Sequence, residues 1–284
     1  MGLRAAPGEG AAMLPARSFA DQVVLVTGGG TGLGKAMAIE FARLGAAVVI
    51  ASRNPGHRAA GEAAMAAAGG RGLSVAVDVR DPDAVAAAFD RAEEALGPVD
   101  VLINNAAGNF PVLAERMSPG AWRAVTDIVL DGTFFCSTEF ARRAIAAGRG
   151  GAILNIGATY SWTGGPTTAH SAAAKAAITN LTKSLAVEWA PHDIRVNCLA
   201  PGLFPHDDLP DGLRRGRAPE ADARSVPAGR VGLPHELGWA ATYLCSSYAA
   251  YLTGHTLVLD GGNWLRRGLR MPPFVSGEEQ LAAP

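Results

Sequence analysis

Short apolar segments alternate with longer alanine-rich segments along most of the chain, from Val23 to Leu259. The short segments are apolar almost throughout, which is typical of parallel strands that are covered by helices on both faces. The alternation therefore predicts an α/β fold built on a single doubly wound parallel sheet of about seven strands. The predicted strands are Val23–Thr27, Ala47–Ala51, Ser74–Asp78, Val101–Asn104, Ala152–Ile156, Arg195–Leu199 and Thr256–Leu259. The predicted helices are Gly34–Leu44, His57–Ala68, Pro82–Leu96, Pro119–Ala147, Thr168–Trp189 and Pro234–Ser246.

The length and composition predict one large domain. With 284 residues, 49% of them hydrophobic, the chain can bury a substantial core. We expect residues 13–265 to form that domain, preceded by a disordered extension at 1–12 and followed by a tail at 266–284 whose course the sequence does not predict. Residues 203–227 are rich in Pro, Gly, Asp and Arg and follow a strand, so we expect a mobile substrate lid there. A surface loop without a role is the alternative.

Charge and hydropathy exclude several classes of protein. The 25 basic and 26 acidic residues leave no overall field that would favour nucleic acid. No apolar run is long enough to span a bilayer, so no membrane-spanning segment is expected, and no metal site is predicted. The cysteines, Cys136, Cys198 and Cys245, are scattered beside apolar residues, which indicates buried thiols in a reducing compartment. The first dozen residues do not resemble a secretory signal, so the expected location is the cytoplasm.

A glycine-rich turn, Thr27-Gly-Gly-Gly-Thr-Gly-Leu-Gly34, follows the first predicted strand and precedes the first predicted helix. Glycines let the backbone turn tightly and approach a pyrophosphate, and the helix N-terminus supplies N–H donors. The strict G-x-G-x-x-G spacing is absent, but strand, turn and helix together predict a dinucleotide site. Its predicted residues in this turn are Gly28, Gly29, Gly30, Thr31, Gly32 and Leu33.

The end of the second strand indicates which dinucleotide binds. Ser52-Arg53 stands where an NAD enzyme usually carries an acidic residue for the ribose hydroxyls. A guanidinium at that position can hold a 2′-phosphate through two hydrogen bonds, so NADPH is predicted as the cofactor. The alternative is that Arg53 is only an exposed surface side chain.

Three more motifs accompany the glycine-rich turn: Asn104-Asn-Ala-Ala-Gly108 after the fourth strand, Ser171-Ala-Ala-Ala-Lys175 in a helix, and Pro201-Gly-Leu-Phe204 after the sixth strand. Together with the turn they resemble the short-chain dehydrogenase/reductase family, and the resemblance implies a Rossmann-like fold. It also implies further cofactor contacts at Asp78, Val79, Asn105, Ala106, Lys175, Pro201, Gly202, Leu203 and Phe204.

The chain departs from that family at the reacting centre. Most members use an Asn, a Ser, a Tyr and a Lys, and those positions hold Val129, Ala158, Ser171 and Lys175 here, so only the Lys is kept. Losing the Ser and Tyr hydroxyls removes the groups that bind and protonate a carbonyl oxygen. Simple ketone reduction should therefore be crippled.

These departures resemble one branch of the family, the 2,4-dienoyl-CoA reductases of the mitochondrial and peroxisomal type. The resemblance is carried by Asn104-Asn-Ala-Ala-Gly-Asn-Phe110, Asp127-Ile-Val-Leu-Asp-Gly-Thr133, Tyr160 and Ser171-x-x-x-Lys175. It implies NADPH-dependent reduction of a 2,4-dienoyl-CoA to a 3-enoyl-CoA in the β-oxidation of unsaturated fatty acids. The implied catalytic residues are Asn109, Tyr160, Ser171 and Lys175, and the implied acyl-CoA contacts are Arg80, Asn109, Phe110 and Ser118.

Several alternatives stay open on the residues alone. Phe110 could be only a core side chain and Ser171 only a small helix residue. A carbonyl reductase acting on 3-oxoacyl thioesters is the rival enzyme, and a catalytically silent NADP-binding regulator is the rival from another class. The family resemblance, together with the small-residue faces of helices Pro119–Ala147 and Thr168–Trp189, further implies a homotetramer.

Overall fold

A computed structural model of the chain describes residues 7–206, 223–265 and 276–282. Its core is one parallel sheet of seven strands in the order β3-β2-β1-β4-β5-β6-β7, which confirms the predicted fold class. The strands are β1 Val23–Thr27, β2 Ala47–Ala51, β3 Arg71–Val75, β4 Val99–Asn104, β5 Gly151–Ile156, β6 Ile194–Pro201 and β7 Thr256–Leu259. No helix among the described residues is long and apolar enough to cross a membrane.

Helices cover both faces of this sheet because successive side chains of each strand point to opposite sides. Val24 and Val26 of β1 face a core that includes Phe41. Val23 and Leu25 face a second core with Phe89 and Phe140. The helices are α1 Gly32–Arg43, α2 Pro55–Ala67, α3 Pro82–Leu96, α4 Pro119–Thr126, α5 Gly132–Ala146, α6 Tyr160–Thr163, α7 Ala169–Trp189, α8 Pro234–Cys245 and α9 Gly277–Ala282.

The strand order places a crevice at the carboxyl ends of β1 and β4. The chain runs outward from β1 to β2 and β3, then returns to the other side of β1 as β4. At such a reversal the connecting segments leave in opposite directions, and ligands of open parallel sheets bind between them. The glycine-rich turn after β1 and the Asn104 motif after β4 both lie there.

The third strand starts and ends three residues before the predicted one. The predicted strand reached Asp78. The structure buries the alternating side chains of Val75, Val77 and Val79, as it would in a strand. The ladder stops at Val75 because its partner β2 ends there, with Ala51 paired to Val75. Asp78 and Val79 therefore extend beyond the sheet, at the edge of the crevice.

The predicted helix Pro119–Ala147 is interrupted. A π-helical segment, Asp127–Asp131, separates α4 from α5. The Thr133 hydroxyl donates to the Val129 carbonyl at 2.7 Å, a back-bond that loosens the α-helical ladder. π segments of this kind are frequent at functional sites.

The other departures concern short elements and the ends of the domain. Helix α6 was not predicted, nor were the single 3₁₀ turns at Ala114–Arg116, Ala190–His192, Ser247–Ala249 and Asn263–Leu265. Within the expected disordered extension, the Ala11 carbonyl accepts a hydrogen bond from the Trp239 indole at 2.9 Å. Residues 1–6 of that extension, 207–222 of the expected lid, and 266–275 and 283–284 of the tail lie outside the described residues.

Candidate active site

A cleft of about 590 Å³ opens at the carboxyl ends of β1 and β4. Most of the predicted cofactor residues line it, and Tyr160 lines it as well. The predicted residues that it brings together are Gly28, Thr31, Gly32, Leu33, Arg53, Asp78, Val79, Asn105, Ala106, Lys175, Pro201 and Gly202. Among the described residues, no cluster of His, Cys, Asp or Glu is arranged to hold a metal ion.

The glycine-rich turn has the shape of a pyrophosphate cradle. Gly28 and Gly32 have φ values of +65° and +50°, in the left-handed region that favours glycine. A Cβ on Gly34 would lie 2.3 Å from the Gly28 carbonyl oxygen, so no larger residue fits where α1 begins. These features fit a dinucleotide whose phosphates approach the backbone at a helix N-terminus.

Hydrogen bonds lock this turn to the end of β4. The Thr27 hydroxyl accepts the Asn105 and Ala106 amides at 2.9 and 3.0 Å. The Asn105 side-chain amide donates to the Thr27 carbonyl at 3.0 Å and to the Gly28 carbonyl at 3.2 Å. These hydrogen bonds therefore fix the two walls of the cleft, the glycine-rich turn and the end of β4, relative to each other.

Four predicted cofactor residues lie outside the cleft wall. Gly29 and Gly30 pack inward, and a Cβ on Gly30 would lie 2.1 Å from the His57 carbonyl oxygen, so they allow α2 to approach the turn. Leu203 and Phe204 line a separate cavity of about 150 Å³. Phe204 belongs to the core that also contains Phe41.

One acidic group connects two arginines at the outer end of the cleft. Asp78 accepts hydrogen bonds from the Arg80 guanidinium at 2.6 to 3.1 Å, and an Arg53 nitrogen lies 3.6 Å from it. The bonds from Arg80 lower the pKa of Asp78 to about 2, so it is charged at neutral pH. Arg80, predicted as an acyl-CoA contact, therefore lies beside the predicted cofactor residue Asp78.

Sequence reasoning missed polar residues at this end of the cleft. Asn54 and His57 line it, and Asn54 also caps α2 by accepting the Gly56 amide at 2.8 Å. Arg58 donates to the carbonyls of Ser52 and Arg53 at 3.0 and 2.9 Å. An Asn before a Pro-Gly pair is a helix-start signal, so the cap could have been found, but the fold of Arg58 back onto Arg53 had no sequence signal.

The structure brings Tyr160 and Ser171 together. The Tyr160 hydroxyl lies 3.0 Å from Ser171 Oγ, and either oxygen can donate. Ser171 is buried in the first turns of α7, and Tyr160 starts α6. Burial raises the pKa of Tyr160, which keeps the phenol protonated at neutral pH and able to donate a hydrogen bond.

Lys175 lies one helical turn beyond Ser171 and is also buried. Its ammonium donates to the Ile156 carbonyl at the end of β5. Burial lowers the pKa of Lys175 to about 8. The side chain is therefore mostly, but not fully, in its charged ammonium form at neutral pH. A buried cation in a dinucleotide cleft is suited to binding ribose hydroxyls.

Asn109 and Phe110 follow the Asn104 motif, and neither of them lines the cleft. Among the described residues, Asn109 Oδ1 is one of the buried polar atoms that have no hydrogen-bond partner. Phe110 packs edge-on against His170, with ring centroids 4.7 Å apart. The predicted contact Ser118 caps α4, accepting the Ala121 amide at 3.1 Å.

Apolar side chains occupy the two positions where the family usually carries hydroxyl or amide groups. Val129 is fully buried in the π-helical segment, packed with Val125, Ala174 and Ile178. Ala158 is buried and lines the cleft near Tyr160 and Lys175. The site thus has one phenol, one ammonium and one nearby hydroxyl, and no second hydroxyl at position 158.

Comparison with known proteins connects this geometry to a family. A family model described as enoyl-(acyl carrier protein) reductase matches residues 28–263. A probable 2,4-dienoyl-CoA reductase [(2E)-enoyl-CoA-producing] of Bacillus subtilis is 43% identical over 86% of this chain and 97% of its own length. The rat peroxisomal 2,4-dienoyl-CoA reductase [(3E)-enoyl-CoA-producing] is 42% identical over 86% of this chain and 84% of its own length.

Solved structures share the fold. A short-chain dehydrogenase from Bacillus anthracis superposes with a TM-score of 0.80 at 41% identity, covering 89% of this chain and all of its own. A candidate 2-deoxy-D-gluconate 3-dehydrogenase from Agrobacterium tumefaciens, solved with bound NADP, has a TM-score of 0.80 at 34% identity, with 89% and 100% coverage.

Proposed function

The chain belongs to the short-chain dehydrogenase/reductase family of NAD(P)-binding oxidoreductases, and on that premise we propose that it reduces 2,4-dienoyl-CoA thioesters with NADPH. The observation that carries the proposal is the Tyr160–Ser171 pair beside Lys175 in a cleft whose wall has Ala158. This arrangement offers a hydrogen-bond donor to an oxygen, but it has no hydroxyl at position 158 and no phenol at position 171, where the family's ketone reductases carry them.

The residues present fit the dinucleotide. The tight turn of Gly28 and Gly34 forms only because both lack side chains, and it would let phosphates approach the backbone at the start of α1. Lys175 would bind the ribose hydroxyls next to the nicotinamide, and Arg53 would bind the 2′-phosphate, with Arg58 as its neighbour. Arg53 favours NADPH over NADH, and its exposed guanidinium can reach a ligand at the outer end of the cleft.

Two side chains would stabilise the negative charge that develops on the thioester oxygen. When bound, the reduced nicotinamide supplies a hydride to C5 of the conjugated diene, and the electrons move toward that oxygen. The Tyr160 phenol, kept protonated by burial, donates one hydrogen bond to it. The Asn109 amide donates the second, and Ser171 orients the phenol.

A proton must then reach the carbon skeleton, and its position decides the product. Protonation at C2 gives a 3-enoyl-CoA, and protonation at C4 gives a 2-enoyl-CoA. We propose the 3-enoyl product, as in the name of the rat relative, with solvent as the proton source. The reaction would remove a conjugated diene that blocks the β-oxidation of unsaturated fatty acids.

The rival functions have less support. Carbonyl reductases of the family carry the phenol at the position of Ser171 and the second hydroxyl at the position of Ala158, and neither group stands there in this chain. A silent cofactor-binding regulator would have no reason to keep a half-buried phenol hydrogen-bonded to a buried serine, since both polar groups lose hydration on burial.

The test is oxidation of NADPH followed with three substrates side by side: a 2,4-dienoyl-CoA, a 2-enoyl-CoA and a 3-oxoacyl-CoA. We expect turnover of the dienoyl ester alone, with the double bond of the product located by NMR. Preferred turnover of the 3-oxoacyl ester would replace this function with carbonyl reduction. Cofactor binding without turnover of any of the three would support the regulator.

We also propose a homotetramer in the cytoplasm. Trp122, Phe134 and Val187 expose large apolar side chains on α4, α5 and α7, the surfaces expected to pair between subunits. Cys136, Cys198 and Cys245 are free and buried, which suits a reducing compartment. Light scattering should give four times the 29.1 kDa of the chain, and a monomer at micromolar concentration would reject the tetramer.

A further inference from the structure

Two tryptophans stack at α6, the short helix that starts with Tyr160. Trp162 lies two residues after Tyr160 on α6. Its ring centroid is 5.5 Å from that of Trp264, and the ring planes are tilted by 34°. Trp162 is nevertheless 42% exposed. An indole contributes most when its large apolar surface is covered, so Trp162 presents uncovered aromatic surface two residues along the chain from Tyr160.

Trp264 is held in place by the residue that follows β7. The Asp260 carboxylate accepts the Trp264 amide at 2.7 Å and the Gly262 amide at 2.9 Å. Asp260 packs directly on Gly202, where an added Cβ would lie 2.4 Å from the Asp260 Cβ. Gly202 in turn donates to the Leu259 carbonyl at 2.9 Å and lines the dinucleotide cleft.

The pair therefore connects two walls of the active-site cleft. One indole is on the helix that starts with Tyr160, and the other is anchored through Asp260 to Gly202. The residues predicted as acyl-CoA contacts, which are Arg80, Asn109, Phe110 and Ser118, belong to other segments of the chain. The exposed face of Trp162, backed by the half-buried Trp264, matches the hydrocarbon tail of an acyl thioester in chemistry.

We propose that Trp162 and Trp264 bind the hydrocarbon tail of the acyl thioester and give the enzyme a preference for long 2,4-dienoyl chains. This rests on the proposed function, since it assigns a part of that substrate. Each methylene removed from water can improve binding about fourfold. A tail that lies across both rings should therefore raise kcat/KM steeply with length. A merely structural pair, which only ties the C-terminal turn to α6, would affect all chain lengths equally.

The experiment compares 2,4-hexadienoyl-CoA with 2,4-decadienoyl-CoA, which differ only in the tail. For the parent protein we expect kcat/KM at least about tenfold higher for the longer ester. Trp162→Ala should reduce that ratio to about threefold or less while the short ester is turned over almost as before. Trp162→Phe, which keeps an aromatic ring, should retain most of the ratio. Trp264→Ala should act like Trp162→Ala.

The control is Tyr248→Ala, because Tyr248 is also an exposed aromatic side chain but lies on the turn Ser247–Ala249 and does not line the cleft. The ratio should stay at the parent value in this variant. Thermal unfolding of each variant separates loss of folding from loss of binding. An unchanged ratio in folded Trp162→Ala would overturn the inference.

A second readout keeps this test separate from the proposed function. The saturated thioesters hexanoyl-CoA and decanoyl-CoA, which cannot react, are titrated into the NADP-loaded protein. If no dienoyl-CoA of any length is turned over, the proposed function fails, and the Kd ratio of the saturated esters decides the inference. If the ratio of the hexanoyl-CoA Kd to the decanoyl-CoA Kd is much smaller in Trp162→Ala than in the parent protein, the inference is supported. If the two ratios are equal, the inference is rejected.

Discussion

The Tyr160 hydroxyl lies 3.0 Å from Ser171 Oγ, although the two residues are on different helices. This contact links the start of α6 to the first turns of α7, one helical turn before Lys175. In the usual family pattern the position of Ser171 would itself carry the phenol. Here the phenol approaches from α6, and the serine becomes its hydrogen-bond partner. The predictions below follow from this exchange of roles.

Tyr160→Phe tests the oxyanion donor. The ring stays and only the hydroxyl is lost, so NADPH affinity should be unchanged while turnover of a dienoyl-CoA falls about a hundredfold or more. Stopped-flow or steady-state NADPH oxidation measures the change. Tyr251→Phe is the matched control, because Tyr251 is fully exposed and should have no effect. Intact turnover in Tyr160→Phe would remove Tyr160 from the mechanism.

Ser171→Ala tests whether the serine acts through the phenol. Because Tyr160 keeps its hydroxyl and loses only its partner, turnover should fall less than in Tyr160→Phe, by about tenfold. The double variant should be no worse than Tyr160→Phe alone, since the serine has nothing left to orient. Independent, additive losses in the double-mutant cycle would mean that Ser171 contacts the substrate or cofactor directly.

Asn109→Ala should separate activity from stability. Asn109 Oδ1 is buried and has no partner, so removing the side chain eliminates an unsatisfied acceptor and should not lower Tm. Turnover should nevertheless fall, and combination with Tyr160→Phe should give less than the sum of the two losses, because both donors serve one oxygen. A variant that loses stability but retains turnover would show that Asn109 is structural.

Arg53→Asp tests cofactor choice. Loss of a charge-assisted bond to the 2′-phosphate should weaken NADPH at least about tenfold and leave NADH little changed. Fluorescence titration of both cofactors measures the ratio. Arg71→Asp, an exposed arginine at the start of β3, is the control and should alter neither affinity. A parent protein that uses NADH and NADPH equally well would refute the assignment.

The sheet could be predicted from sequence because strands such as Val23–Thr27 and Ala47–Ala51 are apolar almost throughout and are followed by helices. The end of β3 could not, since Val77 and Val79 are buried like strand residues although β2 has ended. The π segment around Val129 could not be predicted either, because the apolar periodicity of Pro119–Ala147 is that of one continuous helix. In the site, only the family resemblance predicted that Tyr160 and Ser171 belong to one active site. The helix α6, which brings them together, is too short to show an apolar periodicity in the sequence.

Lys175 should make cofactor binding sensitive to pH. In the folded protein burial lowers its pKa from 10.5 to about 8, so the ammonium is present below about pH 8 and is lost above it. If NADPH binds the charged form, its Kd should be constant at neutral pH and rise above about pH 8, by up to about tenfold per pH unit. Lys175→Met should bind weakly at every pH and lose this dependence. Lys183→Met, exposed on the same helix, should keep the parent profile, and a flat parent profile between pH 7 and 10 would contradict the assigned role.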